Sequence, residues 1–293
     1  MPHRALGQTG LLVPVIGLGA SHLGDAPLED ADAARLLDAA LELGVNLVDT
    51  ARSYAFSEER IGRHLCSRRQ EVILSTKVGY AIPGHENWTA GCVTAGIERA
   101  LDVLRTDVID LVYLHSCSLD VLVRGECTDA LHRAVRAGKV RVAGYAGDGR
   151  ALEYAMQSGA FGAFQLTCNI YDQSARARLR PAAAERGAGV LVKRPLGGAP
   201  WRYAARPPEE DLAEYWDRHR AMQLNRMGLA WEELALRFAV HQPGVAAVLV
   251  GTRSAAHLRA AVAALEYGPL PAPMLSLVQA AFERHGAGWP AVT

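Results

Sequence analysis

The sequence predicts a single closed (β/α)8 barrel over residues 1–293, with a small β-hairpin at one end. Eight short apolar runs alternate with amphipathic segments of helical spacing, which implies βαβ units and a parallel sheet. Eight such units in 293 residues fit the usual length of a closed barrel. A doubly wound open sheet would need a phosphate loop after its first strand, and Gly17, Gly19 and Gly24 lack the GxGxxG spacing.

The predicted strands are short apolar runs bounded by glycine or charged residues. They lie at 15–18, 46–48, 72–75, 109–114 and 246–250, with three further runs that begin at Val140, Ala163 and Gly189. Before the first strand, Gly7 and Gly10 flank a turn in "RALGQTGLLVP", which predicts the hairpin. The longest irregular stretch, residues 195–228, follows the seventh strand and is predicted to be a functional loop.

The predicted helices carry stripes of leucine, valine, isoleucine and alanine at helical spacing. The stripes are Leu36, Leu37, Ala40 and Leu41; Val93, Ile97, Ala100, Leu101 and Leu104; and Leu258, Val262 and Leu265. Gly44 is the predicted stop of the first helix. Such stripes are typical of helices that pack against a sheet.

Composition gives no general argument for a nucleic-acid or membrane-surface partner, because Lys+Arg and Asp+Glu are 31 each. The five cysteines form no CxxC pair and the ten histidines show no zinc-like spacing, so no metal site is predicted. No secretory signal and no apolar run of roughly 20 residues is present. We therefore expect a cytoplasmic protein in a reducing compartment. The sequence indicates no particular oligomeric state.

Polar side chains follow three consecutive predicted strands. Asp49 ends the second strand with Tyr54 just beyond it, Lys77 ends the third, and His115 ends the fourth. Each residue alone has an ordinary structural explanation, such as a helix cap, a solvated lysine or a buried histidine. Because a barrel brings adjacent strand ends to one mouth, we expect the four side chains to share a pocket.

These four groups have a coherent chemistry. A phenol titrates near pH ~10, and an adjacent ammonium stabilises its anion, while a carboxylate holds the ammonium in place. An imidazole can hydrogen-bond the same substrate oxygen and orient it. Such a site protonates an oxygen while charge develops on it, as hydride delivery to a carbonyl carbon requires.

Several segments resemble the signatures of the aldo-keto reductase family. They are "VNLVDTARSYAFSEERIG" at 45–62, "LSTKVG", "TDVIDLVYLHS" and the N-terminal hairpin, and the resemblance runs in order from about Arg4 to Leu265. It implies a barrel that binds a nicotinamide cofactor, usually NADPH (NADP+), without a Rossmann motif. It also implies Tyr54 as general acid in reduction and base in oxidation, tuned by Lys77, with Asp49 holding Lys77 and His115 orienting the carbonyl.

The resemblance also implies contacts to the cofactor and substrate. Cofactor contacts are expected from Gln165, Asn169, Lys193, Pro195, Leu196, Gly251, Thr252, Arg253 and His257. Within that set, Gln165 matches the residue that holds the carboxamide and Arg253 the contact to the 2′-phosphate. The expected substrate-pocket wall is His22, Trp88 and Trp201.

The chain departs from the family pattern at the cofactor. Ala146 and Gly147 replace a serine and an asparagine that grip the carboxamide, and Lys193 replaces a stacking aromatic residue. His257 and Ala261 stand where helix eight usually has Gln and Asn. The expected function is an NADP(H)-dependent oxidoreductase that interconverts a small-molecule carbonyl and its alcohol. The alternatives are a cofactor-binding protein with a regulatory role or weak turnover, and a barrel that uses Lys77 as a Schiff-base lysine.

Overall fold

The computed structural model of the chain describes residues 1–184, 186–286 and 288–292, and eight of its strands close into a barrel. The strands are β1 (His3–Ala5), β2 (Leu12–Pro14), β3 (Ile16–Gly19), β4 (Leu47–Asp49), β5 (Ile73–Val78), β6 (Ile109–His115), β7 (Val140–Ala146), β8 (Ala163–Thr167), β9 (Gly189–Lys193) and β10 (Ala247–Gly251). The barrel order is β10-β3-β4-β5-β6-β7-β8-β9, with every neighbouring pair parallel. The predicted fold is confirmed.

Helices surround the barrel and follow its strands. In the described residues they are α1 (Asp30–Glu42), α2 (Ser57–Leu65), α3 (Ala90–Leu104), α4 (Leu119–Arg124), α5 (Glu126–Arg136), α6 (Gly149–Ser158), α7 (Arg176–Ala184), α8 (Glu210–Met222), α9 (Trp231–Val240), α10 (Ala255–Ala263) and α11 (Ala272–His285). The predicted stripes of α1 and α3 face the core, and Leu36, Ala40, Val93 and Ile97 are buried. Thr89 caps α3 by accepting a hydrogen bond from the Cys92 amide at 3.2 Å.

The prediction of an irregular loop over 195–228 is wrong in part, because α8 occupies thirteen of those residues. The cause is visible in the sequence: Glu210 and Asp211 supply acids to the first turn, and Ala213, Tyr215 and Met222 give α8 a buried face. A short 3-10 helix, Pro200–Arg202, precedes it.

The strand register places the predicted site residues at one end of the barrel. Asp49 lies opposite Ser75, Lys77 opposite Tyr113, and His115 opposite Ala146. All are at or near the carboxyl ends of their strands, which is the end where barrel enzymes carry their chemistry.

The N-terminal hairpin caps the opposite end of the barrel. Its strands pair antiparallel, with Arg4 opposite Val13, and Leu6 is fully buried with residues that line the barrel interior. The backbone of Gly7 has a φ of +55°, and a Cβ there would lie 2.3 Å from the Gly187 carbonyl oxygen. Only glycine fits so close an approach, which is how the turn seats against the start of β9.

No single helix in the described residues has the length and apolar character needed to cross a membrane. The two segments Ala255–Tyr267 and Ala272–His285 reach that length and composition only when taken together, and they are bent by 117°.

Candidate active site

A buried ion pair lies at the centre of the barrel mouth. Lys77 Nζ donates to Asp49 Oδ2 at 2.6 Å and to the Thr50 carbonyl at 2.7 Å, and both charged side chains are almost fully buried. The second carboxylate oxygen of Asp49 accepts from Ser75 Oγ at 2.6 Å and from Gln165 Nε2 at 2.8 Å. Each charged group of the pair therefore has at least one further hydrogen-bond partner, which offsets part of the cost of burying the two charges.

Lys77 carries a charge at neutral pH. Burial by itself lowers the pKa of Lys77, but the Asp49 carboxylate and the Tyr54 phenol outweigh it, so the pKa lies above its usual value. The site thus holds a fixed ammonium just inside the mouth.

Tyr54 lies beside that ammonium. Lys77 Nζ is 5.0 Å from the centre of the Tyr54 ring, and the rings of Tyr54 and His115 meet edge to face at 6.0 Å. The Tyr54 backbone is held by its neighbours, since its amide donates to the Ala51 carbonyl at 3.0 Å and its carbonyl accepts from Ser57 at 2.8 Å. A Cβ on Gly24 would stand 2.1 Å from the Tyr54 carbonyl oxygen, so a glycine is needed there.

The helix after Tyr54 is fixed to the strands behind the site. The Thr50 hydroxyl donates to Ser57 Oγ at 2.8 Å, and the Ser57 hydroxyl donates to the Ala20 carbonyl at 2.8 Å. Thr76 donates to the buried Glu58 at 2.7 Å, and burial raises the pKa of Glu58. The helix α2 begins at Ser57 and has Glu58 and Glu59 in its first turn, and the Glu58 side chain is buried.

His115 is neutral at the pH of cells. Burial is the main cause, and the positive charges of Lys77, Lys193 and Arg194 add to it, which together lower the pKa of His115 to about 3. Its Nδ1 lies 3.0 Å from the Tyr80 hydroxyl, and the two rings are stacked at 5.4 Å with an interplanar angle of 28°.

Tyr80 is a site residue that the sequence analysis did not identify. It follows β5 by two residues, and its ring packs on Trp88 at 5.3 Å. A Cβ on Gly79 would lie 2.1 Å from the Trp88 ring, and the Trp88 amide donates to the Gly79 carbonyl at 2.7 Å. The available signal was a tyrosine directly after "STKVG", at the same barrel end as Lys77.

Comparison with known proteins identifies the family. The family model described as "Aldo/keto reductase family" matches residues 15–283. The chain belongs to the aldo-keto reductases. L-galactose dehydrogenase from Arabidopsis thaliana is 29% identical over 305 residues, which cover 96% of this chain and 94% of that protein. Pyridoxal 4-dehydrogenase from Microbacterium luteolum is 26% identical over 315 residues, which cover 87% and 90%.

A solved structure of the same family has the same architecture. The holo form of the aldo-keto reductase AKR11C1 from Bacillus halodurans superposes with a TM-score of 0.83, at 27% identity over 96% of each chain. This chain is therefore an oxidoreductase of the aldo-keto reductase family, and the barrel mouth described above is its candidate active site.

In this aldo-keto reductase, Lys193 is held by an acidic partner. Its Nζ lies 2.8 Å from Asp148 Oδ2, and Asp148 also accepts from the Thr167 amide at 2.7 Å and the Thr167 hydroxyl at 3.1 Å. Burial lowers the pKa of Lys193, although Asp148 opposes that shift. The ion pair joins the ends of β7, β8 and β9, beside Ala146 and Gly147.

The Asn169 side chain is hydrogen-bonded to the turn after β9, to α8 and to the loop after β8. Its Nδ2 donates to the Arg194 carbonyl at 2.9 Å and to the Tyr215 hydroxyl at 3.3 Å. Its Oδ1 accepts from the amides of Tyr171 and Asp172 at 2.8 and 2.9 Å. The side chain is fully buried and its donors and acceptor are already in use, so a contact of Asn169 with the cofactor would require one of these hydrogen bonds to be exchanged.

The segment after β10 presents an exposed guanidinium. The side chain of Arg253 is 58% exposed, and its Nη1 is 3.6 Å from Asp25 Oδ2. His22 lies 3.3 Å from the same carboxylate and packs near Gly251. The hydroxyl oxygen of Ser254 caps α10 by accepting from the His257 amide at 3.4 Å. Thr252 is buried and its Oγ1 accepts from the Ser254 amide at 3.0 Å.

The turn after β9 and the Trp201 side chain were also predicted to contact the cofactor or the substrate. Pro195 and Leu196 form the turn after β9, where the Ala199 amide donates to the Leu196 carbonyl at 2.9 Å. Trp201 stacks on Trp231 at 5.8 Å, and its indole N–H donates to Glu232 at 2.9 Å. These contacts hold Trp201 against α9, whereas Trp88 packs directly on the partner of His115.

Proposed function

We propose that this chain is an NADP(H)-dependent carbonyl reductase, or alcohol dehydrogenase in the reverse direction, with Tyr54 as the proton donor. The observation that carries the proposal is the state of the two groups beside Tyr54. Lys77 holds its proton firmly against Asp49, and His115, with a pKa of about 3, has no second proton to give at neutral pH. Of Asp49, Tyr54, Lys77 and His115, Tyr54 is therefore the residue whose proton is available to a substrate oxygen.

The roles of the four residues follow from their contacts. As Tyr54 gives its proton to the substrate oxygen, negative charge develops on the phenol oxygen, and the Lys77 ammonium stabilises it. Asp49 keeps Lys77 charged and in place. His115 holds the substrate oxygen by a hydrogen bond, so that the proton and the carbonyl meet in one orientation. A bound nicotinamide would supply the hydride.

The polar side chains at the barrel mouth suit the adenosine phosphate of such a cofactor. They offer fewer hydrogen bonds to its nicotinamide ring. An exposed Arg253 guanidinium at the start of α10 suits an adenosine 2′-phosphate, which favours NADPH over NADH. At the ring, Gln165 directs its nitrogen to Asp49 and keeps its amide oxygen for the carboxamide. Ala146 and Gly147 add no side-chain donors, so we expect weaker carboxamide binding than the family pattern gives.

The proposed location, substrate class and domain organisation are consistent with this function. All five cysteines are free, and four of them are buried, which supports a reducing, cytoplasmic location. We expect the substrate to be a small-molecule carbonyl or alcohol, with His22, Trp88 and Trp201 as parts of the pocket wall, and the chain to act as one domain.

The proposal is tested by following NADPH absorbance while the purified chain is given a panel of aldehydes and ketones, with NADH as the comparison cofactor. We expect substrate-dependent consumption of NADPH. Tight NADPH binding without turnover across the panel would instead favour the regulatory alternative.

The Schiff-base alternative makes a separate prediction. A lysine amine attacks a carbonyl only when unprotonated, and the contacts of Lys77 with Asp49 keep it charged. Borohydride reduction in the presence of carbonyl substrate should leave the mass of the protein unchanged. A covalent adduct on Lys77 would contradict the proposed function.

A further inference from the structure

We propose that Tyr80 is a positioning residue that fixes His115 as the tautomer with its proton on Nε2. The tautomer decides whether His115 can donate to a substrate oxygen, because a neutral imidazole donates from one nitrogen and accepts at the other. The inference about the tautomer concerns the protein alone, and its consequence for catalysis rests on the function proposed above.

The geometry gives Tyr80 one proton and two neighbours. Its hydroxyl oxygen lies 3.0 Å from His115 Nδ1 and 3.2 Å from Ser53 Oγ. Ser53 is exposed, and its own hydroxyl can donate to Tyr80 or exchange hydrogen bonds with water. His115 Nδ1 is part-buried, and Tyr80 is its hydrogen-bond partner.

The chemistry of the two hydroxyls selects the direction of the hydrogen bond. A phenol is a stronger donor than an alcohol and a poor acceptor, whereas an unprotonated imidazole nitrogen is a good acceptor. The distances allow the Tyr80 hydroxyl to donate either to Ser53 Oγ or to His115 Nδ1. The imidazole nitrogen is the better acceptor, so the favoured arrangement has Tyr80 donating to His115 Nδ1 and the Ser53 hydroxyl donating to Tyr80. Nδ1 then carries no proton, and the single proton of the neutral ring is on Nε2.

The neighbours of Tyr80 hold it in this arrangement. The Tyr80 ring is packed between the His115 ring and Trp88, at 5.4 and 5.3 Å. Trp88 itself has a positive φ of 61°, which is uncommon for a large side chain, and it packs on the bare backbone of Gly79. The contact of Trp88 with Gly79 thus keeps the Trp88 ring against Tyr80, on the side away from the stack with His115.

The tautomer can be measured directly in the full chain without substrate. Long-range proton–nitrogen NMR correlation on protein with 15N-labelled histidine reports which ring nitrogen carries the proton, and the spectrum of His115→Gln assigns the His115 signals. In the wild type at pH 7 we expect a protonated Nε2 and an unprotonated Nδ1. A protonated Nδ1 in the wild type would overturn the proposal.

Tyr80→Phe removes the hydroxyl and keeps the aromatic stack. We expect its His115 resonances to move toward a mixture of the two tautomers, and kcat/KM for the carbonyl to fall roughly tenfold, with the dissociation constant of NADPH unchanged. An unchanged tautomer together with kinetics within twofold of the wild type would contradict the assignment.

Ser53→Ala is the matched control, because it removes the other neighbour of the same hydroxyl. We expect its His115 tautomer to remain that of the wild type, and a shift as large as that of Tyr80→Phe would overturn the assigned donor. If the wild type turns over no carbonyl at all, the proposed function fails while the NMR measurement still decides the tautomer.

Discussion

At the scale of single residues, His115 shows how the barrel mouth changes an ordinary side chain. A strand-end histidine in the sequence is compatible with packing, with proton transfer or with hydrogen bonding. Burial and three nearby cations settle its protonation, because together they lower its pKa to about 3. The group is thus a neutral hydrogen-bonding residue, which is why the proposed mechanism assigns proton donation to Tyr54.

This pKa predicts a dependence of stability on pH. The folded-state pKa lies below the unfolded value of ~6.5, so between those values the unfolded chain binds the extra proton. Stability from this group is complete above pH ~6.5 and is lost as the pH falls toward 3. From pH 7 to pH 5 the free energy of unfolding should fall by about 2 kcal/mol more in the wild type than in His115→Gln.

Urea unfolding at the two pH values measures this difference. Because the same nine other histidines are present in both proteins, their contributions cancel in the comparison. Equal losses in the wild type and the variant would contradict the neutral, buried state of His115.

The sequence predicted the positions of three of the four proposed acid/base residues, because each of the three lies at the end of an apolar run that could be read as a strand. Asp49, Lys77 and His115 are at the expected strand ends. It did not predict Tyr80, because its contact with His115 depends on how residues 79–88 turn back over the mouth. Nor did it predict that the Asn169 side chain is hydrogen-bonded to the backbone of Arg194 and Tyr171, since hydrogen-bond partners cannot be inferred from sequence spacing.

At the scale of elements, α8 fixes the C-terminal segment through one buried arginine. Arg218 is 1% exposed, and it donates to Glu214 at 2.8 Å and to the Pro290 carbonyl at 2.5 Å. Its guanidinium also lies 5.0 Å from the Trp289 ring and 3.5 Å from Asp172. The described end of the chain, 288–292, is thereby joined to α8 and to the loop after β8.

Arg218→Met keeps much of the apolar stem and removes the charge. It leaves the buried Asp172 without its cation and the tail carbonyl without its donor, so we expect a loss of about 3 kcal/mol in the free energy of unfolding. Trp289 fluorescence should shift to the red as the tail is released.

Arg220→Met is the control on the same helix, because Arg220 is exposed and its guanidinium lies over the Trp216 ring at 5.7 Å. We expect Arg220→Met to change the free energy of unfolding by no more than about 0.5 kcal/mol. Equal costs for the two variants would show that the buried network is not what holds the tail.

At the scale of the whole molecule, the polar site residues and the hairpin that closes the barrel lie at opposite ends. The starts of the barrel strands were predictable to within one residue, because buried parallel strands are continuous apolar runs with charged or glycine ends. The end of β5 was not, because it lies three residues beyond the predicted run. The mouth at their carboxyl ends carries the polar cluster, whereas the other end is sealed by the hairpin and Leu6. Stability and activity should therefore respond to different mutations.

Leu6→Ala tests that separation. The Leu6 side chain is fully buried at the hairpin end of the barrel, and its truncation should lower the free energy of unfolding by about 2–5 kcal/mol. We expect kcat and KM per folded molecule to be unchanged. Leu12→Ala, in the same hairpin but 60% exposed, should cost within about 0.5 kcal/mol. A lower kcat in folded Leu6→Ala would contradict the expectation that packing at the hairpin end leaves activity at the mouth unchanged.

The central claim is that Tyr54 gives the proton while Lys77, Asp49 and His115 support it, and the most direct measurement compares Tyr54→Phe with the wild type. NADPH consumption with an active carbonyl substrate gives kcat/KM, and quenching of protein fluorescence gives the dissociation constant of NADPH. We predict that kcat/KM falls by about 10²–10⁴ while NADPH binding stays the same. Turnover in Tyr54→Phe within a few-fold of the wild type would contradict the claim.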